Sequence, residues 1–431
     1  MNPRRTVLSL FAACASAAIA LIALPAAADD AFYLRDGETV LFFGDSITQS
    51  GQYVEYVEAY LRTRFPEQRF TVINHGISSE TVSGTTEADH DPPRPDAHRR
   101  FDRDVAAWRP DVLAACFGMN DGNYHPFDSQ RYERYQAGVR RLLERGASAG
   151  ARIALLTPPP FDAYRRAAGD PNAVSFGYKF AAIDYDHTLT EYSRFVVSLM
   201  DEEGGPRVGD VHTVMNEHLA RRRAERVSFT LSPDAVHPDP TGHWLMAQTL
   251  LLAWNAPADC AIAEIDAAAL TAKRGEVSEI ARDEEGLRFV WTTPLPMPLD
   301  PRWDAASIAL ERVAERLNRH RLVVAGLSAD RYRLLADGRE FAEFSREELA
   351  AGIDLTDLPE LPTNRRAAEV LALVQERSKT IYAAWRKTIV LPDDETVKQE
   401  QAAANRRAEE LDAQLRELCR PMRVELRLMA R

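Results

Sequence analysis

Along the first 255 positions, short unbroken apolar runs alternate with longer stretches whose apolar residues recur at helical period. Val40-Leu41-Phe42-Phe43, Phe70-Thr71-Val72-Ile73, Val112 to Phe117 and Ile153 to Thr157 are compact β-prone runs, as expected of strands buried on both faces of a parallel sheet. Between them, Tyr53, Val54, Val57, Tyr60 and Leu61, and later Tyr132, Tyr135, Val139, Leu142 and Leu143, step by threes and fours and predict amphipathic helices. A further helix is expected over 176–200, a fifth strand over 207–212 and a last helix over 240–254, with the prolines at 158–160 ending the fourth strand. Repeating βα units of this kind predict a three-layer α/β/α domain around about five mostly parallel strands joined by right-handed crossovers. The stretch from Ser78 to Arg100 lacks apolar periodicity and predicts a long loop leaving the sheet edge where open α/β sheets keep their crevices.

The pattern changes after Ala256-Pro257-Ala258. Turn signals at Glu285-Gly286 and Asp337-Gly338 separate β-like segments at 287–291 and 332–335, while 304–317 has helical spacing. From 364 to 387 and from 395 to 418, charged and apolar residues interleave at helical period, which predicts solvated amphipathic helices. Residues 257–431 are thus expected to form a smaller α+β accessory region that packs on the first domain, covers its crevice or mediates assembly. At the other end, Arg4-Arg5, the apolar stretch from Val7 to Leu24 and Ala26-Ala27-Ala28 have the form of a secretory signal peptide over 1–28, cleaved near Ala28. Export to the periplasm or the exterior follows, with 29–256 as the first folded domain and no stable membrane insertion after cleavage, since no other run is apolar enough to span a bilayer.

Composition narrows the partners. With 45% hydrophobic and 27% charged residues and a net charge of −12, the chain has a globular make-up and a sign that disfavours nucleic acid and anionic membrane. Beyond the signal, Cys116, Cys260 and Cys419 form no disulfide framework or metal spacing; Cys116 reads as a buried small hydrophobe, and a Cys260–Cys419 bridge stays open. Chemistry-bearing residues stand where the apolar runs stop or in a loop able to reach the same edge: Gly44-Asp45-Ser46-Ile47-Thr48, Asn74-His75-Gly76, Gly118-Met119-Asn120-Asp121 and Asp234-Ala235-Val236-His237. Each alone reads as an ordinary turn or cap. Together they supply a nucleophile in Ser46, a base in His237, a carboxylate to orient it in Asp234, and oxyanion donors in the backbone N–H groups of Ser46 and Gly76 and the side-chain amide of Asn120. Asp45 and Asp121 read as loop braces. His90, Asp91 and His98 read as solvated loop residues rather than a metal site, and His212 as a strand-end cap.

These four blocks, in this order, resemble the SGNH hydrolases, also called the GDSL esterase/lipase family, over residues 38–254. The resemblance implies a flavodoxin-like fold and hydrolysis of a carboxylic ester through an acyl-enzyme on Ser46, with no metal or organic cofactor. Family members act on carbohydrate O-acetyl groups, lysophospholipids, aryl esters and thioesters. The polar and proline-rich segments 78–81, 90–98 and 123–126 favour a short acyl group on a carbohydrate or other small-molecule ester. A lipid or aryl esterase, an acyltransferase, and a carbohydrate-binding or assembly module with vestigial chemistry are the alternatives; oligomeric state stays open.

Overall fold

Val40 to Gly44 are all buried, as a strand covered on both faces must be, and this strand, β1 (Thr39–Gly44), is flanked on both sides in its sheet. The structure, a computed structural model, describes residues 31–88, 90–164 and 184–431; the expected signal peptide at 1–28 and the expected helical stretch 176–183 lie outside them. Chain order continues with α1 (Ser46–Ser50), α2 (Gln52–Arg64), β2 (Thr71–Gly76), α3 (Ala97–Asp104), β3 (Val112–Cys116), α4 (Ser129–Ser148), β4 (Arg152–Leu156), α5 (Tyr185–Ser198), β5 (Arg207–Gly209), α6 (Val211–Glu225) and α7 (Pro240–Ala253). The five strands pair in parallel in the order β2-β1-β3-β4-β5, the doubly wound arrangement of flavodoxin-like folds. That order reverses at β1, so the ends of β1 and β3 border the crevice where such sheets bind ligands. Apolar side chains pack on both faces: Val40, Phe42, Tyr53 and Trp254 fall in one cluster, Leu41, Phe43, Phe101 and Tyr135 in the other.

Several local expectations are corrected. The fifth strand stops at Gly209 instead of 212, because Asp210 caps a helix by accepting from Thr213 N, so His212 lies in the first turn of α6. There its Nε2 meets Thr190 Oγ1 at 3.0 Å. The loop after β2 ends at Asp96, which caps α3, and His98 is buried with Nε2 donating to Gly138 O at 3.1 Å rather than solvated. The expected helix 304–317 divides into Ala305–Leu310 and Val313–Leu317 at Arg312, whose φ of +50° interrupts the helical backbone. Cys260 and Cys419 are both free thiols, not a bridge.

The C-terminal part contributes two further sheets. One takes β6 (Asp259–Asp266) and β7 (Thr271–Arg274) with Arg319–Ala325 and Ile353–Asp354; the other takes Glu276–Asp283, Gly286–Thr293, Arg331–Ala336, Arg339–Ser345 and the last strand Met422–Ala430. Ile265, Phe289, Trp291, Leu322, Leu334 and Leu426 share the core between them. The two long helices, Pro362–Val390 and Glu395–Leu418, pair with each other, and the first also lies on α2 and β2. Their inner positions are not solvated: Arg377 is buried in ion pairs with Glu58 and Asp412, Tyr382 donates to Gly76 O at 2.9 Å, and Trp385 stacks on His75 with centroids 4.0 Å apart. By contacts, Phe32–Arg431 forms one unit. Among the described residues no helix is long and apolar enough to cross a membrane.

Candidate active site

Gly44 ends β1 where a side chain has no room: a Cβ would lie 2.2 Å from Thr48 Oγ1 and 2.6 Å from Cys116 O. The chain can therefore turn at once into α1, with Asp45 as its N-cap accepting from Ile47 N at 2.9 Å. Ser46 becomes the first helical residue, half-buried, with its own N–H among those that a helix start leaves without an intrahelical acceptor. Its Oγ lies 2.9 Å from His237 Nε2.

His237 arrives from the other end of the domain on a turn that Asp234 builds. One carboxylate oxygen of Asp234 accepts from Val236 N at 3.0 Å and His237 N at 2.7 Å, and the other meets His237 Nδ1 at 2.7 Å. The spacing of three residues lets a single carboxylate fold its own turn and orient the ring. Ala235 takes the bend with a φ of +78°, a conformation unusual for a residue with a side chain, and its N–H and C=O are held by Ser232 O and Asp162 N. Burial works against charge at Asp234, but the hydrogen bonds from the His237 ring and from two backbone N–H groups outweigh it and hold its pKa below the ordinary carboxylate value. At His237 burial likewise opposes charge, and the Asp234 hydrogen bond and charge, with a contribution from Asp45, outweigh it and raise the pKa above 6.5. An ionised Asp234 can only accept, so Nδ1 carries the proton and neutral His237 offers its Nε2 lone pair to the serine hydroxyl.

Asn120 follows β3 and is buried. Its Nδ2 approaches Glu80 O at 3.1 Å and Asp45 Oδ2 at 3.3 Å, while its Oδ1 receives Arg94 Nη1 at 3.0 Å and Tyr124 OH at 3.1 Å. Asp45 itself is fully enclosed, and burial pushes its carboxyl up to about 7 against the Ile47 N–H and the His237 charge. Asp121, pushed up to about 6 by burial, accepts Ser83 N at 2.8 Å and ties this turn to the loop after β2.

Gly76 is not presented as an oxyanion donor. As the last residue of β2 it gives its N–H to Asn74 Oδ1 at 2.9 Å, and its missing Cβ serves α1, whose Gln49 N would lie 2.2 Å from such an atom. Three residues on, Ser79 has a φ of +63° beside Glu80, whose carbonyl Asn120 contacts. A serine in a position that favours glycine is the signal a sequence reading passes over. Among the described residues no three His, Cys, Asp or Glu side chains cluster as metal ligands; His90 Nδ1 instead meets Pro92 O at 2.6 Å. What the arrangement can do is acyl transfer: a hydroxyl beside an oriented imidazole, at a helix start, with a fixed amide close by.

Comparison with known proteins agrees with this chemistry. Residues 42–245 match the GDSL-like Lipase/Acylhydrolase family. An acetylxylan esterase from Geobacillus stearothermophilus is 28% identical over 239 residues, spanning 51% of this chain and 94% of that enzyme. A gut microbial diltiazem-metabolizing enzyme shares the fold with a TM-score of 0.78 at 22% identity, over 94% of this chain and 100% of that one, so the likeness extends through the C-terminal sheets. The segment from Phe42 to Leu245 belongs to the GDSL-like lipase/acylhydrolase family, and the protein is a carboxylic ester hydrolase.

Proposed function

We propose that the protein removes short acyl groups, acetyl above all, from carbohydrate, through an acyl-enzyme on Ser46. His237 takes the Ser46 proton during attack and returns it to the leaving sugar oxygen, then takes a proton from the water that releases the acyl group from Ser46 as a carboxylic acid, and Asp234 holds the ring in the tautomer this requires. The tetrahedral oxyanion is held by the N–H of Ser46, by the N–H of Ser79 in the place expected of Gly76, and by Nδ2 of Asn120, which gives up its 3.3 Å contact with Asp45 Oδ2 to reach it. The observation that carries the reading is the hydrogen-bonded chain Ser46–His237–Asp234, in a sequence 28% identical to an acetylxylan esterase. We also propose that the chain is exported with cleavage near Ala28, where polysaccharide fragments are met; the charged, apolar and small-residue order of 4–28 supports it.

Profiling p-nitrophenyl esters by chain length, then acetate release from acetylated xylo-oligosaccharides, tests the substrate. The acetate ester should turn over best and the oligosaccharides should release acetate; a maximum at eight carbons or longer would replace the carbohydrate reading with a lipid one. Asn120→Ala should lower kcat by about 10²–10³-fold with KM little changed, because the oxyanion exists only beyond the ground state. A change confined to KM would remove Asn120 from the oxyanion site.

A further inference from the structure

Asn120 is surrounded in a way that the acyl-transfer reading does not require. The Arg94 guanidinium on its Oδ1 can only donate, and the Tyr124 hydroxyl, which burial keeps protonated, can donate there as well. Both contacts of its Nδ2, Asp45 Oδ2 and Glu80 O, are with acceptors. A flipped amide would set an NH₂ group against the Arg94 guanidinium and a carbonyl against the Glu80 carbonyl, so these neighbours fix which end of Asn120 faces Asp45. Arg94 is itself held as a fork. Its Nε and Nη2 meet the two carboxylate oxygens of Glu87 at 2.6 and 2.7 Å, and its Nη1 reaches Ser79 O at 3.5 Å as well as Asn120 Oδ1. The Arg94 side chain is 5% exposed, which keeps its charge from being screened by water. Ser79, Glu80, Glu87 and Arg94 all come from the segment between Ser78 and Pro95, whose described residues carry no strand or helix.

We propose that Arg94, clamped by Glu87, is a positioning residue of the oxyanion site: its guanidinium locks and polarises the Asn120 amide and ties it to the Ser79 peptide. The inference rests on the acyl-transfer reading. A cationic donor on the amide oxygen draws electron density from nitrogen, so Nδ2–H becomes a stronger donor to charge that develops on the substrate oxygen. The Glu87 carboxylate offsets the Arg94 charge at longer range, so the effect on that oxygen passes through the Asn120 amide. The long loop is in this view part of the catalytic apparatus through one side chain, whatever else it contacts.

The test is a cycle between Arg94 and Asn120, with p-nitrophenyl acetate as substrate. Arg94→Met should lower kcat by about 10–100-fold, as expected for a hydrogen bond from a charged group, with KM within about twofold. Arg94→Lys should retain an intermediate kcat, since it keeps the charge and loses the fork. Tyr124→Phe, which removes the neutral donor alone, should cost less than Arg94→Met. In an Asn120→Ala background, Arg94→Met should change kcat by no more than about twofold, because its route to the oxyanion is gone. The proposal is overturned by wild-type kcat in Arg94→Met, by the same fold loss in both backgrounds, or by a rise in KM at constant kcat, which would make the loop a substrate wall only. If Arg94→Met lacks a cooperative melting transition, Arg94→Lys and Tyr124→Phe carry the same cycle. Failure of the underlying reading shows separately, as turnover retained by Ser46→Ala.

Discussion

Ser46→Ala is expected to lower kcat on p-nitrophenyl acetate by about 10⁶-fold, and His237→Ala by a similar factor, while the double substitution does no further damage. The expectation follows from the 2.9 Å contact between the two side chains: they carry out one proton-coupled attack, so losing either removes the whole acyl route. Stability should change little. The Ser46 hydroxyl is half-buried at the first position of α1, and the cap of that helix comes from the Asp45 side chain, which the substitution leaves in place. A melting temperature within a few degrees of wild type is therefore the control that separates lost chemistry from lost fold. Near wild-type turnover in Ser46→Ala would end the serine mechanism. A loss in the double variant equal to the product of the single losses would show that the two groups act independently, which the shared hydrogen bond argues against.

The core of the sheet was legible because it leaves a strong signal. Val40-Leu41-Phe42-Phe43 and Val112 to Cys116 are continuous apolar runs of strand length, as a strand covered on both faces requires. The meeting of Ser46, Asp234 and His237 was legible for a second reason: each requires particular neighbours in sequence, Gly44 for room before the serine, and two residues between carboxylate and imidazole for a self-folded turn. The loop after β2 was not legible. His98 reads as solvated in a polar sequence, yet α3 turns it inward to Gly138 O, a contact 40 positions away that no local pattern encodes. Gly76 drew the donor assignment because glycine suits close approach, and the close approach is real but serves α1 instead. Arg94 gave no signal at all, since its meaning depends on Asn120, Glu87 and Tyr124 meeting in space.

The C-terminal region shows the opposite failure. Its long helices have a readable period, and the period correctly separates an inner from an outer face, but it does not say what the inner face meets. Arg377 reads as one more charged residue on a solvated helix, whereas it is buried against Glu58 of α2 and Asp412 of the neighbouring helix. A buried guanidinium between two carboxylates adds little net stability, because desolvation offsets the Coulomb attraction. The consequence lies on the catalytic side. Tyr382 and Trp385, one to two turns further along the same helix, hold Gly76 O and His75, the residues from which the loop after β2 departs. A region without catalytic motifs thus supports the frame of the site.

Asp234→Asn separates orientation from charge at the same position. An asparagine can keep the turn, since its Oδ1 still accepts from Val236 N and His237 N, so the loop and the melting temperature should survive. Its NH₂ would then face His237 Nδ1, where the carboxylate now lies at 2.7 Å, and favour the tautomer with the proton on Nε2, pointing the wrong way for removing a proton from Ser46. A buried catalytic aspartate lost in this way costs about 10⁴-fold in kcat. Here the Asp234 side chain is 42% exposed, so water screens part of its charge and a loss of about 10³–10⁴-fold is expected. The pH profile should move in a direction that a merely structural role would not produce. His237 acts as a base only when neutral, and Asp234 raises its pKa above 6.5, so in the wild type kcat/KM should fall as pH drops through a value above 6.5. Removing the carboxylate removes the main interaction that raises this pKa, while burial still lowers it, so the acid limb of the residual activity should shift to lower pH. An unchanged kcat would take Asp234 out of the mechanism, and a reduced kcat with the acid limb unmoved would mean that the titrating group is not His237.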